Sequence, residues 1–178
     1  MSRWCSRYLL QRIFILLIVC LVITSSAVCA FKFGDFPGKG SKQVWLQANN
    51  HVNKGIDLGH KEAFDQAINE LKAAIRMYPD DATYYYTLAV CYEGRDKPGD
   101  MIRAEQAYRQ SIKLAPSIWE TWNGLATPLY ALGKYSESKA AKLEALRLNP
   151  PAEDVPGIKS DIEKISSKIR STTGARTN

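Results

Sequence analysis

Beyond residue 40, apolar and small residues return at steps of three and four, the spacing of one face of an α-helix. Trp45, Ala48, Val52, Gly55, Ile56 and Leu58 mark a first helix from about Ser41 to Leu58. Gly59 and His60 interrupt it. Phe64, Ala67, Ile68, Leu71, Ala74, Ile75 and Met77 mark a second, from about Glu62 to Tyr78, and Pro79 stops it, since proline cannot continue a helix and disfavours helical backbone before it. Asp81 is a suitable N-cap for a third helix carrying Tyr85, Leu88, Ala89 and Tyr92. The run Gly94-Arg-Asp-Lys-Pro-Gly-Asp100 then predicts a loop. A fourth helix, about Met101 to Leu114, shows Ala104, Ala107, Tyr108, Ser111 and Ile112. With Ser117 as N-cap, a fifth shows Trp122, Leu125, Ala126 and Leu129. A turn at Leu132 to Tyr135 leads to a sixth with Ser138, Ala141, Ala145, Leu146 and Leu148. Past Pro150, Pro151 and Pro156, the isoleucines 158, 162, 165 and 169 lay a single stripe along an otherwise polar seventh helix.

These helices repeat as pairs. Ala82-Thr-Tyr-Tyr-Tyr-Thr-Leu-Ala-Val-Cys-Tyr92 overlays Trp119-Glu-Thr-Trp-Asn-Gly-Leu-Ala-Thr-Pro-Leu129 at its apolar and small positions, and both copies close on a proline, Pro116 and Pro150. Gly55 to Pro79 supplies an earlier copy. A period near 34 residues built from two helices is the signature of a stacked helical repeat.

The pattern resembles the tetratricopeptide repeat: in the first helix of each pair an aromatic, Leu, a small residue and Tyr; in the second Ala, an aromatic and a closing Pro. In that register the small residue after Leu falls on Gly55, Ala89 and Ala126, the first alanine of the second helix on Ala67, Ala104 and Ser138, and the later small position on Ala74, Ser111 and Ala145. The closing proline falls on Pro79, Pro116 and Pro150. Small side chains let paired helices cross closely while aromatics fill the space between. The resemblance implies an all-α, right-handed solenoid of antiparallel helix pairs, with three repeats within 42–150 (about 48–81, 82–118 and 119–152) and a capping helix over 157–170 covering the last apolar face. Residues 171–178 are expected to fray. The pattern is broken at named places. His51 and Lys54 stand where an aromatic and Leu are usual, Lys142 where an aromatic is usual, and the second pair has three extra residues in its loop. Pro128, inside a helix, removes the backbone bond to the Gly124 carbonyl and is expected to kink or loosen it.

The first 30 residues differ in kind. Arg3, Arg7 and Arg12 precede an apolar run from Ile13 to Ile23, and Val28 and Ala30 fit the small positions before a cleavage point. This is the layout of a secretory signal peptide cleaved after Ala30. The alternative is an uncleaved anchor, because residues 13–31 carry no charge and are just long enough to span a bilayer. Either way the positive-inside rule leaves the arginines in the cytosol and the domain outside it, secreted or periplasmic. Residues 31–41, with Gly34, Pro37, Gly38 and Gly40, read as a flexible arm.

That division corrects the charge. The chain has a formal charge of +6, but with the three N-terminal arginines set aside 21 Lys and Arg stand against 18 Asp and Glu, interspersed. Such a surface argues against a nucleic-acid partner. Cys5, Cys20 and Cys29 lie in the first 30 residues, leaving Cys91 without an internal partner, so the fold must hold by packing.

Catalytic motifs are lacking. His51 and His60 have no cysteines at ligand spacing, and no phosphate loop, nucleophile elbow or zinc-protease motif occurs. No catalytic residue, metal or cofactor is expected. A repeat stack works through its concave face, lined by the first helix of each pair. The family register places Asn49, Val52, Asn53 and Ile56 there from the first pair, Thr83, Tyr86, Thr87 and Val90 from the second, and Glu120, Asn123, Thr127 and Tyr130 from the third. Amides and hydroxyls can pair with an extended peptide backbone, and tyrosines can cover apolar side chains. Members of the family that clamp a chaperone's C-terminal carboxylates use Lys, Asn and Arg at these positions, and only scattered asparagines match. The expectation is a non-catalytic binding module or assembly scaffold for protein segments. The alternatives are a membrane-anchored subunit of an envelope complex, and a small-ligand protein or enzyme using the groove near Tyr86 and Tyr130.

Overall fold

The computed structural model describes residues 40–174, side chains to residue 172, and the N-terminal segment lies outside the described residues. Seven helices follow one another among them: α1 Lys42–His60, α2 Phe64–Met77, α3 Ala82–Arg95, α4 Asp100–Leu114, α5 Trp119–Ala131, α6 Tyr135–Arg147 and α7 Val155–Gly174. Each packs on the next, forming the pairs α1–α2, α3–α4 and α5–α6 with α7 closing the stack. In addition α1 touches α3, and α3 touches α5. The odd-numbered helices therefore crowd one face of the solenoid, and the even-numbered ones form its outer layer.

The small positions do the work expected of them. Ala67, Ala104 and Ser138 are fully buried, as are Ala74, Ser111 and Ala145. A Cβ on Gly55 would stand 2.9 Å from Leu71 Cγ, so α1 and α2 could not keep this separation with a larger residue there. The two serines are satisfied against the facing helix: Ser111 Oγ donates to the Ala82 carbonyl at 2.8 Å and Ser138 Oγ to the Ala126 carbonyl at 2.7 Å. Around these crossings Leu71, Tyr84, Tyr108, Leu125 and Leu129 are fully buried, each side chain contributing roughly 1.5–3 kcal/mol by removal from water.

The irregular places resolve into local chemistry. Asp81 caps α3, accepting from the Thr83 amide at 2.9 Å and the Thr83 hydroxyl at 2.6 Å. Ser41 precedes α1 without a side-chain cap bond. Ser117 is not the N-cap of α5. That position is Ile118, whose extended backbone starts the helix one residue later, while the Trp122 indole N–H donates to the Pro116 carbonyl at 2.8 Å and closes the turn. Pro128 does not end α5, which runs on to Ala131. Its buried ring forfeits one backbone bond, and the next turn is restored by Leu132 N–H to the Pro128 carbonyl at 3.0 Å.

The lengthened loop of the second pair is tied by one carboxylate. Fully buried Asp100 takes two bonds from the Arg95 guanidinium (2.8 and 2.6 Å), one from the Lys97 amide (3.0 Å) and one from Arg103 (2.9 Å). Arg95 above all holds its carboxyl well below the ordinary carboxylate range, against the cost of burial. In the first pair, the unusual His51 and Lys54 both reach Glu70 on α2, His51 Nδ1 at 2.7 Å. A polar tie replaces the usual aromatic and leucine there. On α7, Ile158 and Ile165 are buried and Ile162 and Ile169 partly so, as the stripe requires, and the helix extends four residues beyond Arg170.

Candidate binding groove

The crowding of α1, α3 and α5 makes their shared face the candidate site. The first pair contributes less than its register implies. Asn49 is 7% exposed and its Oδ1 accepts from the Tyr84 hydroxyl at 2.6 Å, so this amide joins α1 to α3. Val52 is buried and Ile56 packs on the core; Asn53 is exposed. In the second pair Thr83 is committed to the Asp81 cap, and Thr87 Oγ1 donates to the Thr83 carbonyl at 2.9 Å. Val90 is 42% exposed, an apolar side chain open on this face. Tyr86 is partly buried, its ring edge-to-face on Tyr108 of α4 with centroids 5.8 Å apart.

In the third pair Asn123 Oδ1 accepts from Lys142 Nζ at 2.8 Å, Thr127 is exposed, and Tyr130 is 40% exposed and edge-to-face on Tyr135 with centroids 5.1 Å apart. Between α5, α6 and α7 lies an open cavity of about 280 Å³ lined by Ala126, Thr127, Tyr130, Ser138, Lys142, Asp161, Lys164 and Ile165. Lys142, itself buried, also donates to Asp161 Oδ2 at 2.8 Å, bridging α5, α6 and α7.

One groove residue escapes the sequence register. Glu93 lies one helical step beyond Val90 on α3, and the 37-residue repeat offset aligns it with Tyr130, as it aligns Val90 with Thr127. The tyrosine was legible; its partner in the preceding copy was the available signal. Glu93 Oε1 is buried and has no hydrogen-bond partner. Burial pushes this carboxyl up to about 7, with the Tyr108 hydroxyl beside it and the charge on Lys142 acting in the opposite direction. Glu120 is raised as well, chiefly by burial and further by Asp154. Burial, with Glu120 and Glu93 adding their charges, pushes Tyr86 up to about 12. The groove thus gathers tyrosines and carboxylates around its middle, and its buried lysine is spent on structural bonds. Among the described residues, no three His, Cys, Asp or Glu side chains converge as a metal site.

Comparison with known proteins agrees with this geometry. A family model described as tetratricopeptide repeat matches residues 53–117, from the end of α1 through the second pair. The chain carries tetratricopeptide repeats. The first tetratricopeptide domain of human RPAP3 superposes with a TM-score of 0.64 at 20% identity, covering 71% of this chain and 95% of that one. The Arabidopsis OM64 tetratricopeptide domain gives a TM-score of 0.61 at 20% identity, covering 68% of this chain and 98% of that one. The second such domain of human RPAP3, solved in complex with the HSP70 peptide SGPTIEEVD, gives 0.62 at 21% identity over 69% of this chain and 98% of that one. At these identities the likeness is one of fold. No curated protein sequence matches the chain.

Proposed function

We propose that this tetratricopeptide-repeat chain is a non-catalytic interaction module or assembly scaffold that holds a segment of a partner protein along the face of α1, α3 and α5. The observation that carries the reading is the pair of open apolar groups on that face, Val90 and Tyr130, at 42% and 40% exposure, set among amide and hydroxyl side chains that suit an extended chain. Peptide occupancy of human RPAP3's second domain supports it by analogy of fold. A small-ligand or enzymatic use of the groove is less well supported. Glu93, the carboxyl with the shifted ionisation, does not line the 280 Å³ cavity, and the Lys142 and Asp161 that do line it are paired with each other.

We further propose that the domain works outside the cytosol, carried there by residues 1–30 or tethered through residues 13–31. This rests on the sequence alone, since that segment lies outside the described residues; among those described, no helix is long and apolar enough to cross a membrane. A mature chain starting at Phe31 supports cleavage, whereas an intact N-terminus in the membrane fraction supports a tether.

The binding face is tested by placing a photo-crosslinking residue at Thr127 on the inner face or at Leu143 on the outer layer, in the full chain in its own cells. The reading expects a discrete partner adduct from Thr127 and none from Leu143. The reverse pattern would move binding off the groove.

A further inference from the structure

The middle of the groove has a chemical preference that the fold alone does not specify. Glu93 presents a buried Oε1 that no described group satisfies. An acceptor left in this state costs free energy until a donor arrives. Tyr108 reaches it from α4 and Lys142 acts on it from α6. Tyr86 lies two turns back on the same helix, edge-to-face on Tyr108, and Asn123 of α5 is tied to Lys142. The only cation in that set, Lys142, has two of its donors taken, by Asn123 and Asp161 at 2.8 Å each, so it acts on Glu93 as a neighbouring charge. Glu120 and Glu93 both add, as neighbouring negative charges, to the upward shift that burial gives the Tyr86 hydroxyl.

Resting on the groove reading above, we propose that the partner segment presents an arginine or lysine side chain to the middle of the groove, with Glu93 Oε1 receiving its charged donor. Charge-assisted bonds to a carboxylate are about twice as strong as neutral ones. An acidic side chain brought to the same place would instead set a carboxylate against Glu93. The whole chain's charge of +6 works the other way, favouring acidic peptides in general. A basic preference therefore has to originate inside the groove.

The test is an array of extended dodecapeptides on one neutral scaffold of Ala, Ser, Leu and Tyr, carrying Arg, Lys, Gln or Glu at each position in turn. It is probed with the detergent-solubilised full chain and with its Glu93→Gln variant, at pH 6 and pH 8. Wild type is expected to retain the best Arg and Lys peptides about tenfold over their Glu counterparts, the factor for one charged pair near 1.4 kcal/mol. Retention should rise from pH 6 to pH 8 as Glu93 ionises. In Glu93→Gln, shown folded by its cooperative thermal transition, the charge preference and its pH dependence should both vanish. Equal or better retention of Glu peptides, or a basic preference that survives Glu93→Gln, overturns the proposal but leaves the groove reading standing if Val90→Ala with Tyr130→Ala abolishes retention. Retention of no peptide of any charge by wild type overturns both.

Discussion

Tyr108 in the second pair and Lys142 in the third occupy the same position of the repeat, and their surroundings give them opposite work. Tyr108 is buried between α3, α4 and α5, where Gly124 makes room for it: a Cβ there would stand 2.8 Å from its ring. Lys142 has no following repeat to pack on. It reaches across to Asn123 and to Asp161 of the polar closing helix. In the first pair the position is Leu71, fully buried against Gly55. One repeat position thus serves as aliphatic wedge, aromatic wedge or polar bridge, depending on whether the next element brings a small residue or a charge. Packing sets the crossings inside the stack, and polar ties set its ends.

That contrast orders the expected effects of mutation. The largest belongs to Ala104→Trp, because α3 and α4 cross where Ala104 is fully buried; overpacking of this size is expected to abolish the cooperative thermal transition followed by circular dichroism. Next is Tyr108→Ala, expected to lower stability by about 3–5 kcal/mol, the range for an aromatic removed from a core, read from urea denaturation.

Glu93→Gln, beside Tyr108, should act with the opposite sign. The folded carboxyl titrates near 7 and the unfolded one near 4.5. The unfolded chain therefore releases this proton first as pH rises, and folding is penalised increasingly between those values and fully above them. Removing the charge is expected to raise stability by about 3 kcal/mol at pH 8 and to change little at pH 4, measured by urea denaturation at both. The smallest effect is expected for Lys142→Ala. Its Asp161 partner is 42% exposed and can be hydrated, so the loss should be about 1 kcal/mol, with faster amide exchange in α7. A Lys142→Ala cost equal to that of Tyr108→Ala would erase the distinction between wedge and bridge.

The wedges were legible in the sequence and the bridges were not. Gly55, Ala104, Ser111 and the closing prolines report close approach and chain reversal, which depend on the residue itself. Lys142 stood out as an exception, but nothing local in the sequence connects it to Asp161, nineteen positions away on another helix. His51 and Lys54 were exceptions for the same reason, their common partner Glu70 lying on α2. In the groove, Tyr130 and Val90 were readable from the register. Asn49 and Val52 are buried, Asn49 bonded to the Tyr84 hydroxyl where α1 meets α3, a contact that the register does not reveal, and Glu93 is marked in the sequence only by its alignment with Tyr130. Ser117 carried the composition of a cap in a place where the proline turn displaced the helix start.

Binding at the inner face, as proposed, is separable from the packing that makes the fold. The direct measurement takes Val90→Ala with Tyr130→Ala in the full chain and follows thermal stability together with peptide retention. A transition within a few degrees of wild type is expected, with retention lost. Retention equal to wild type in the folded variant would contradict it.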